Sequence, residues 1–307
     1  MQSKSSRIAV IDIGTNTCIL LIAELIDGKL MKIFEHTEFP RIGEGVDETK
    51  IISNSSIQRL NKILKEYLRF SHTYEADRMF AFATSAVRDA KNKDEFISYF
   101  RKKLDLQIEV FDGFTEAKFG YFGAVFDFED GNSEHYTVLD IGGGSTENSY
   151  IDDGKFFSKS IDIGSVRVTE KFFKNGINVK SIEQAKNFIS EKFLEINFLN
   201  LEHRTLIGVA GTMTTLSALN QNLKTFNEEK VHKSILAVND VDILFNRLSR
   251  MNEQQILELG DFMKGRADII TAGALILLEF MNYFGFEEIT VSSKGLRYGV
   301  FLFLTKN

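Results

Sequence analysis

The chain has 307 residues, of which 43% are hydrophobic and 26% are charged, and its formal net charge is −6. This length allows two ordinary domains, and this composition excludes a disordered or collagen-like chain. Because the net charge is negative, nucleic-acid binding is not expected, and a polyanionic ligand would require a local basic patch.

A single cysteine, Cys18, lies in an apolar run and excludes an intrachain disulfide. We expect a buried thiol and a cytoplasmic protein. No apolar segment of a signal peptide precedes Asp12, and the most apolar window, 269–286, is interrupted by Glu279. We therefore expect a buried helix in that window and no membrane partner.

Apolar periodicity predicts the elements of the first half in chain order. Strands are expected at 8–12, 18–26 and 30–35, with a hairpin turn at Asp27-Gly28. They are followed by a helix at 53–70, a strand at 79–83, a helix at 94–103, a strand at 108–111 and a helix at 115–126.

The second half repeats the same order of elements. It has predicted strands at 136–140, 147–151 and 155–161, helices at 165–174 and 181–198, a strand at 205–209, a helix from 210, helices filling 240–281 and a last strand at 288–292. This order predicts an α/β protein with two mixed sheets covered by helices. We expect domains at about 1–125 and 126–307, with a final helix that can pack on the first domain.

The repeat is clearest in two glycine-containing turns. Residues 10–17 read Val-Ile-Asp-Ile-Gly-Thr-Asn-Thr, and residues 138–145 read Val-Leu-Asp-Ile-Gly-Gly-Gly-Ser. Glycine lets backbone N–H groups approach an anion closely, and hydroxyl side chains add donors. The Asp that ends each strand would repel a bare phosphate, but it suits a hard cation such as Mg²⁺. Two such turns would bind a phosphate chain from both sides of a cleft.

Two further residues of the first half are candidates for phosphate binding or catalysis. Arg88 follows a strand and can donate two parallel hydrogen bonds to phosphate, although its position taken alone favours a surface arginine at a helix start. Glu116 lies at a helix start, where a carboxylate is either a partner of the helix dipole or a general base that activates water.

Two sites of the second half are candidates for metal or anion binding. Glu147 follows Asp140 on the next strand and can join Asp12 and Asp140 around a metal, or it can face outwards. Gly211-Thr212 lies at a strand–helix junction, which is either an anion site or a structural turn. The pattern of a Walker-type phosphate loop is absent, and the His and Cys spacings support neither a zinc site nor thiol catalysis.

Together these stretches resemble the exopolyphosphatase/guanosine pentaphosphate phosphatase family of the actin-like ATPase superfold. The similarity covers nearly the whole chain, and its motifs follow the family's order. The matching stretches are residues 12–17, 41–45 (Arg-Ile-Gly-Glu-Gly), 84–92 (Thr-Ser-Ala-Val-Arg-Asp-Ala-Lys-Asn), 116–117, 140–147, 163–167, 211–212 and 295–297.

The resemblance implies two actin-like (ribonuclease H-like) lobes of the ASKHA superfold with an interdomain cleft. It implies Glu116 as the catalytic base and Asp12, Asp140 and Glu147 as ligands of Mg²⁺ or another divalent cation such as Mn²⁺. The implied phosphate-binding residues are Gly14, Thr15, Asn16, Thr17, Arg88, Gly142, Gly143, Gly144, Ser145, Gly211 and Thr212.

The implied activity is hydrolysis of the terminal phosphoanhydride of inorganic polyphosphate. Alternatives are 5′-phosphate hydrolysis of pppGpp, both activities in one enzyme, an ATP-using kinase or ATPase of the same superfold, and a sensor of polyphosphate or (p)ppGpp without catalysis. Thr115 stands where many family members carry a second Glu, which leaves Glu116 as the candidate base. This sequence does not include the C-terminal helical domain of long members, so the resemblance does not imply processivity on long chains. It allows a homodimer.

Overall fold

The computed structural model of the protein describes residues 6–128, 133–196, 201 and 203–306. The chain forms two compact units. The first unit comprises Met1–Phe119 and Leu296–Asn307, and the second comprises Gly120–Gly295.

The first unit contains one mixed sheet. Its elements are β1 (Ile8–Ile13), β2 (Cys18–Ile26), β3 (Lys29–Glu38), α1 (Val46–Thr49), α2 (Asn54–Thr73), β4 (Arg78–Ala83), α3 (Ser85–Arg88), α4 (Lys93–Leu104), β5 (Ile108–Val110) and the start of α5 (Gly113–Val125). The strand order is β3-β2-β1-β4-β5, with β1, β2 and β3 antiparallel and β4 and β5 parallel to β1.

Helix α2 shows how the sequence builds this unit. Its buried side chains include Ile57, Leu60, Leu64 and Tyr67, which recur at helical spacing and therefore share one face. At its start, the Ser53 hydroxyl accepts a hydrogen bond from the amide of Ser56 at 3.2 Å and caps the helix. The side chain of Cys18 is fully buried in the same core, as predicted.

The second unit contains a larger mixed sheet. Its elements are β6 (Tyr136–Ile141), β7 (Thr146–Asp152), β8 (Lys155–Ile161), α6 (Ser165–Val168), α7 (Val179–Phe193), β9 (Thr205–Val209), α8 (Ala210–Asn220), α9 (Glu228–Val231), β10 (Ile235–Ala237), α10 (Val238–Leu248), α11 (Glu253–Leu257), α12 (Ile270–Phe284) and β11 (Glu288–Val291). The strand order is β10-β11-β9-β6-β7-β8. The last helix, α13 (Leu296–Leu304), belongs to the first unit and packs on β1 and β2.

The central four strands have the same order and directions in both sheets. In each, three consecutive antiparallel strands are followed by a strand parallel to the first, which gives β3-β2-β1-β4 in one sheet and β8-β7-β6-β9 in the other. The predicted repeat of strand, turn and strand is therefore confirmed. It places the two glycine-containing turns at the same point of each sheet, between the first and second strands.

The sequence prediction fails in part of the second unit. Strand β10 was not predicted. The predicted helices within 240–281 are α10, α11 and α12, but they do not fill the stretch, because residues 249–252 and 258–269 lie outside α-helix. The predicted helix 165–174 consists of α6 and a π-helical turn at Thr169–Phe173, and residues 197–198 of the predicted helix 181–198 lie outside the described residues.

Helix α12 corresponds to the most apolar window of the sequence. Most of its side chains are buried in the core of the second unit, as predicted for that window. Among the residues that the structure describes, no helix is long and apolar enough to cross a membrane.

Candidate active site

The first turn, residues 14–17, is held by a segment that we call the first backing loop, residues 40–43. The carbonyl of Thr15 accepts a hydrogen bond from the amide of Gly43 at 2.9 Å, and the carbonyl of Asn16 accepts one from Arg41 at 3.2 Å. The Thr15 hydroxyl also shares a hydrogen bond with Ser85 at 2.8 Å. The carbonyl groups in the middle of this turn therefore face the backing loop.

The second turn, residues 142–145, is held in the same way by the second backing loop, residues 163–167. The carbonyls of its first two residues accept hydrogen bonds from the amides of Ser165 at 2.9 Å and Val166 at 2.9 Å. Nε of Arg167 donates to the carbonyl of the third residue at 2.9 Å. Each turn is also closed by a hydrogen bond of its own. The amide of Gly14 donates to the carbonyl of Thr17 at 2.8 Å, and the amide of Gly142 donates to the carbonyl of Ser145 at 3.0 Å.

This anchoring decides which way the amides of each turn point. In a trans peptide the N–H of one residue lies opposite the C=O of the residue before it. Because the carbonyls face the backing loops, the N–H groups of residues 16–17 and 143–145 point away from them. Successive N–H groups directed to one side form a concave site for an anion such as phosphate.

Two glycines that the sequence analysis did not single out make this close packing possible. A Cβ at Gly43 would lie 2.1 Å from Cγ2 of Thr15, and a Cβ at Gly164 would lie 2.4 Å from the backbone of Gly143. Each follows an isoleucine after the third strand of its half, in Ile42-Gly43 and Ile163-Gly164. Both lie in stretches that carry the family resemblance, 41–45 and 163–167, and extending the repeat beyond the third strand would have aligned the two glycines.

Asp140 and Glu147 are brought together by the register of the second sheet. They are directly opposite each other on β6 and β7, so both side chains project from the same face. Glu147 is only 3% exposed, which excludes the alternative of an outward-facing carboxylate. Ser160 donates a hydrogen bond to Oε1 of Glu147 at 2.6 Å.

Asp12 occupies the matching position of the first sheet, where the residue directly opposite is Ile19. Burial raises the pKa of Asp12 to about 7, although Arg297 opposes the shift and Glu116 adds to it. The first unit therefore offers one carboxylate at a position where the second unit offers two.

The Asp140–Glu147 pair fits a Mg²⁺ ion, because Mg²⁺ takes hard oxygen ligands and is commonly held by one or two carboxylates together with water and substrate phosphates. Within the described ranges, no group of three or more His, Cys, Asp and Glu side chains is arranged to hold a metal ion. The predicted participation of Asp12 in a shared metal site stays a prediction.

Glu116 lies in the first turn of α5 and is only 9% exposed. Nη1 of Arg88 donates to its Oε2 at 2.7 Å. Burial raises the pKa of Glu116, and the nearby Arg88 and a hydrogen bond from Thr84 partly offset that shift. A buried carboxylate with a raised pKa and a fixed orientation has the properties of a general base.

The contact of Arg88 with Glu116 was not predicted from the sequence. Its guanidinium bonds to the Glu116 carboxylate and also donates to the carbonyl of Phe111 at 3.3 Å. The predicted role of Arg88 in phosphate binding stays a prediction. The pairing itself arises because α3 and the start of α5 follow neighbouring parallel strands, β4 and β5.

Gly211 and Thr212 lie at the junction of β9 and α8. Ala210 has a φ of +70° there, a strained conformation for a residue with a side chain. A Cβ at Gly211 would lie 2.2 Å from Nη1 of Arg266, so the guanidinium packs directly on the main chain of this junction. Arg266 also donates to the hydroxyl of Thr215 at 3.2 Å, and sequence analysis gave no sign of this placement.

Comparisons with known proteins identify a family that this chain matches. The Ppx/GppA phosphatase family matches residues 21–307. The chain is 33% identical to exopolyphosphatase 2 of Mycobacterium tuberculosis, with 97% of this chain and 98% of that protein covered. It is 35% identical to a bifunctional 3-dehydroquinate synthase/phosphatase of Fusobacterium nucleatum over 96% of this chain, and it spans 46% of that protein's length.

A solved structure of the Aquifex aeolicus member of the Ppx/GppA family is similar with a TM-score of 0.81, at 29% sequence identity and with 99% of each chain covered. The fold is therefore that of a two-lobed actin-like protein, as predicted, and the protein is a phosphoanhydride hydrolase. The chain belongs to the Ppx/GppA phosphatase family.

The close approach of Gly43 to the first turn generates a stability prediction. Gly43→Ala would place a Cβ against Cγ2 of Thr15, and overpacking of this kind costs about 1–3 kcal/mol. Thr15→Ser removes that methyl group but keeps the hydroxyl, so the double variant should recover much of the loss in urea unfolding. Strictly additive effects of the two changes would contradict this packing.

The charges around Glu116 generate a pH prediction. Arg88 lowers the pKa of Glu116, so Arg88→Gln should raise that pKa further and move the acid limb of kcat/KM for phosphate release to higher pH. Asp89 raises the pKa of Glu116, so Asp89→Asn should move the limb to lower pH. Shifts of the same sign in both variants would contradict this electrostatic account.

The raised pKa of Asp12 generates a prediction for metal-free protein. The pKa of Asp12 is about 7 in the folded protein and about 4 in the unfolded chain. The folded protein therefore loses stability as pH rises from about 4 to about 7, because the unfolded state has already released the proton. In EDTA, Asp12→Asn should be more stable than the parent at pH 8, on the order of 1–3 kcal/mol, and the difference should shrink at pH 5.

Urea unfolding at both pH values measures this difference. Asp242→Asn, at an exposed position on α10, serves as the control and should change little. A parent chain that is as stable as Asp12→Asn at pH 8 would show that the Asp12 carboxylate is not destabilised by burial.

Proposed function

We propose that the protein is a metal-dependent exopolyphosphatase that removes orthophosphate from the end of inorganic polyphosphate. The observation that carries this proposal is the buried Glu116 carboxylate, which has a raised pKa and is oriented by Arg88. A relative that is 33% identical over almost its whole length carries the name exopolyphosphatase, which supports polyphosphate as the substrate.

In the proposed reaction, Glu116 accepts a proton from water while the water oxygen attacks the terminal phosphorus. The bond from phosphorus to the bridging oxygen breaks, and the electron pair leaves on a polyphosphate that is one unit shorter. General-base catalysis of this kind contributes about 10²–10⁴ in rate. The Asp140 and Glu147 carboxylates would hold Mg²⁺ or Mn²⁺, which neutralises phosphate charge when bound.

The two turns have a separate role in the proposal. The amides of residues 143–145 and 16–17 donate hydrogen bonds to phosphate oxygens, whose charge increases on the transferring group. Backbone donors that are already oriented need no reorganisation during the reaction. Arg167 adds positive charge behind the second turn, since its Nε bonds to the carbonyl of Gly144.

Other substrates end in the same bond. A pppGpp 5′-phosphohydrolase would use the same base and turns, and a kinase or ATPase would act on the γ-phosphate of ATP. Phosphate release with Mg²⁺ from short polyphosphate, long polyphosphate, pppGpp and ATP in parallel separates these functions. Release only from pppGpp or only from ATP would overturn the exopolyphosphatase proposal.

Glu116→Gln tests the proposed base. Glutamine has nearly the same shape but cannot accept the proton, so kcat on short polyphosphate should fall by about 10²–10⁴ while KM changes little. Glu109→Gln is the matched control, because Glu109 is an exposed carboxylate on β5. Equal turnover in the Glu116→Gln variant and the parent would exclude Glu116 as the base.

A further inference from the structure

Three polar side chains form one row across the second sheet. Asp140 is directly opposite Glu147 in the β6–β7 pair, and Glu147 is directly opposite Ser160 in the β7–β8 pair. Side chains that are directly opposite in antiparallel strands share a face, with Cβ atoms about 4.5–5.5 Å apart. Glu147 therefore lies between a carboxylate on one side and a hydroxyl on the other.

The contact between Ser160 and Glu147 is short and partly buried. The hydroxyl donates to Oε1 of Glu147 at 2.6 Å, in the range of hydrogen bonds from a hydroxyl to an ionised carboxylate. Glu147 is 3% exposed, and an ionised carboxylate at such a position requires donors from the protein. A neutral hydroxyl fixes the orientation of the carboxylate without cancelling its charge.

The first sheet shows what the same row looks like without a second carboxylate. There the row consists of Asp12, Ile19 and Thr37, so its middle position holds an apolar side chain. The two halves keep the aspartate but differ at the middle strand. The pairing of a hydroxyl with a glutamate therefore belongs to the unit in which two carboxylates stand side by side.

We propose that Ser160 is a positioning residue that orients the Glu147 carboxylate for binding a divalent cation together with Asp140. This role rests on the metal dependence of the proposed function. Residues that hydrogen-bond to metal ligands typically change metal affinity by about 10–100-fold when they are replaced. Loss of the hydroxyl lets the Glu147 carboxylate rotate away from Asp140 and weakens the cation site.

Mn²⁺ binding to the purified full chain without substrate tests this role directly, by calorimetry or by the loss of the free-ion electron paramagnetic resonance signal. Ser160→Ala should weaken Mn²⁺ binding by about 10–100-fold. Ser160→Thr keeps the hydroxyl and should bind Mn²⁺ as the parent does. Ser158→Ala is the matched control, because Ser158 lies two residues away on β8, opposite Ser149 on β7, and does not oppose Glu147.

Kinetics give a second readout that a purely structural role would not produce. Ser160→Ala should need a proportionally higher Mg²⁺ concentration for half-maximal phosphate release, while kcat at saturating Mg²⁺ stays close to that of the parent. If Ser160→Ala does not fold in a thermal melt, Ser160→Cys, which has a weak donor of similar size, should show the same loss of Mn²⁺ affinity.

The outcomes test the positioning role of Ser160 and the proposed function. Parent-like Mn²⁺ binding by Ser160→Ala, or equal losses in Ser160→Thr and Ser160→Ala, would overturn the positioning role. A parent that binds Mn²⁺ but releases no phosphate from polyphosphate would overturn the proposed function and leave the role of Ser160 measurable. A parent that binds no Mn²⁺ would overturn this positioning role as well as the proposed metal dependence.

Discussion

The hydrogen bonds that direct the carbonyl groups of residues 15–16 and 142–144 towards their backing loops are the constraint on which both turns of the candidate site depend. They fix the direction of the opposite amides, which are the groups able to bind phosphate oxygens. The constraint is steric as well as polar, since Gly43 and Gly164 leave no room for a Cβ beside the turns. Each turn also follows the aspartate that ends the first strand of its sheet. The position of the acidic groups is therefore tied to the position of the amides.

The two halves of the protein share this framework but carry different chemistry. The first unit holds Glu116 with Arg88, and its sheet places Ile19 opposite Asp12. The second unit places Glu147 opposite Asp140 and adds Arg167 behind its turn. The repeated strand–turn–strand element thus carries the candidate cation site in the second unit, whereas the candidate base of the first unit lies outside that element, at the start of α5. The backing loops are the part of the framework that both units keep.

Sequence patterns predicted the strands and helices of both sheets and the two turns, because these signals are local and occur twice. They also marked Glu116, Asp140 and Glu147 as candidates, but the roles of these residues came only from the family resemblance and stay predictions. They could not predict the contact of Arg88 with Glu116 or of Ser160 with Glu147, because those depend on which strands become neighbours and in what register. The packing of Arg266 on Gly211 likewise joins positions 55 residues apart in the chain, counted from 211 to 266.

The most direct measurement of the central claim is the amide chemical shifts of the two turns in ¹⁵N-labelled protein, recorded with and without short polyphosphate in the presence of Mg²⁺. If the backing loops direct these amides towards bound phosphate, the signals of Gly143, Gly144 and Ser145 shift most, together with those of Asn16 and Thr17. The same shifts should shrink in Gly164→Ala for the second turn alone. Polyphosphate binding that leaves all five amide signals in place would contradict the account.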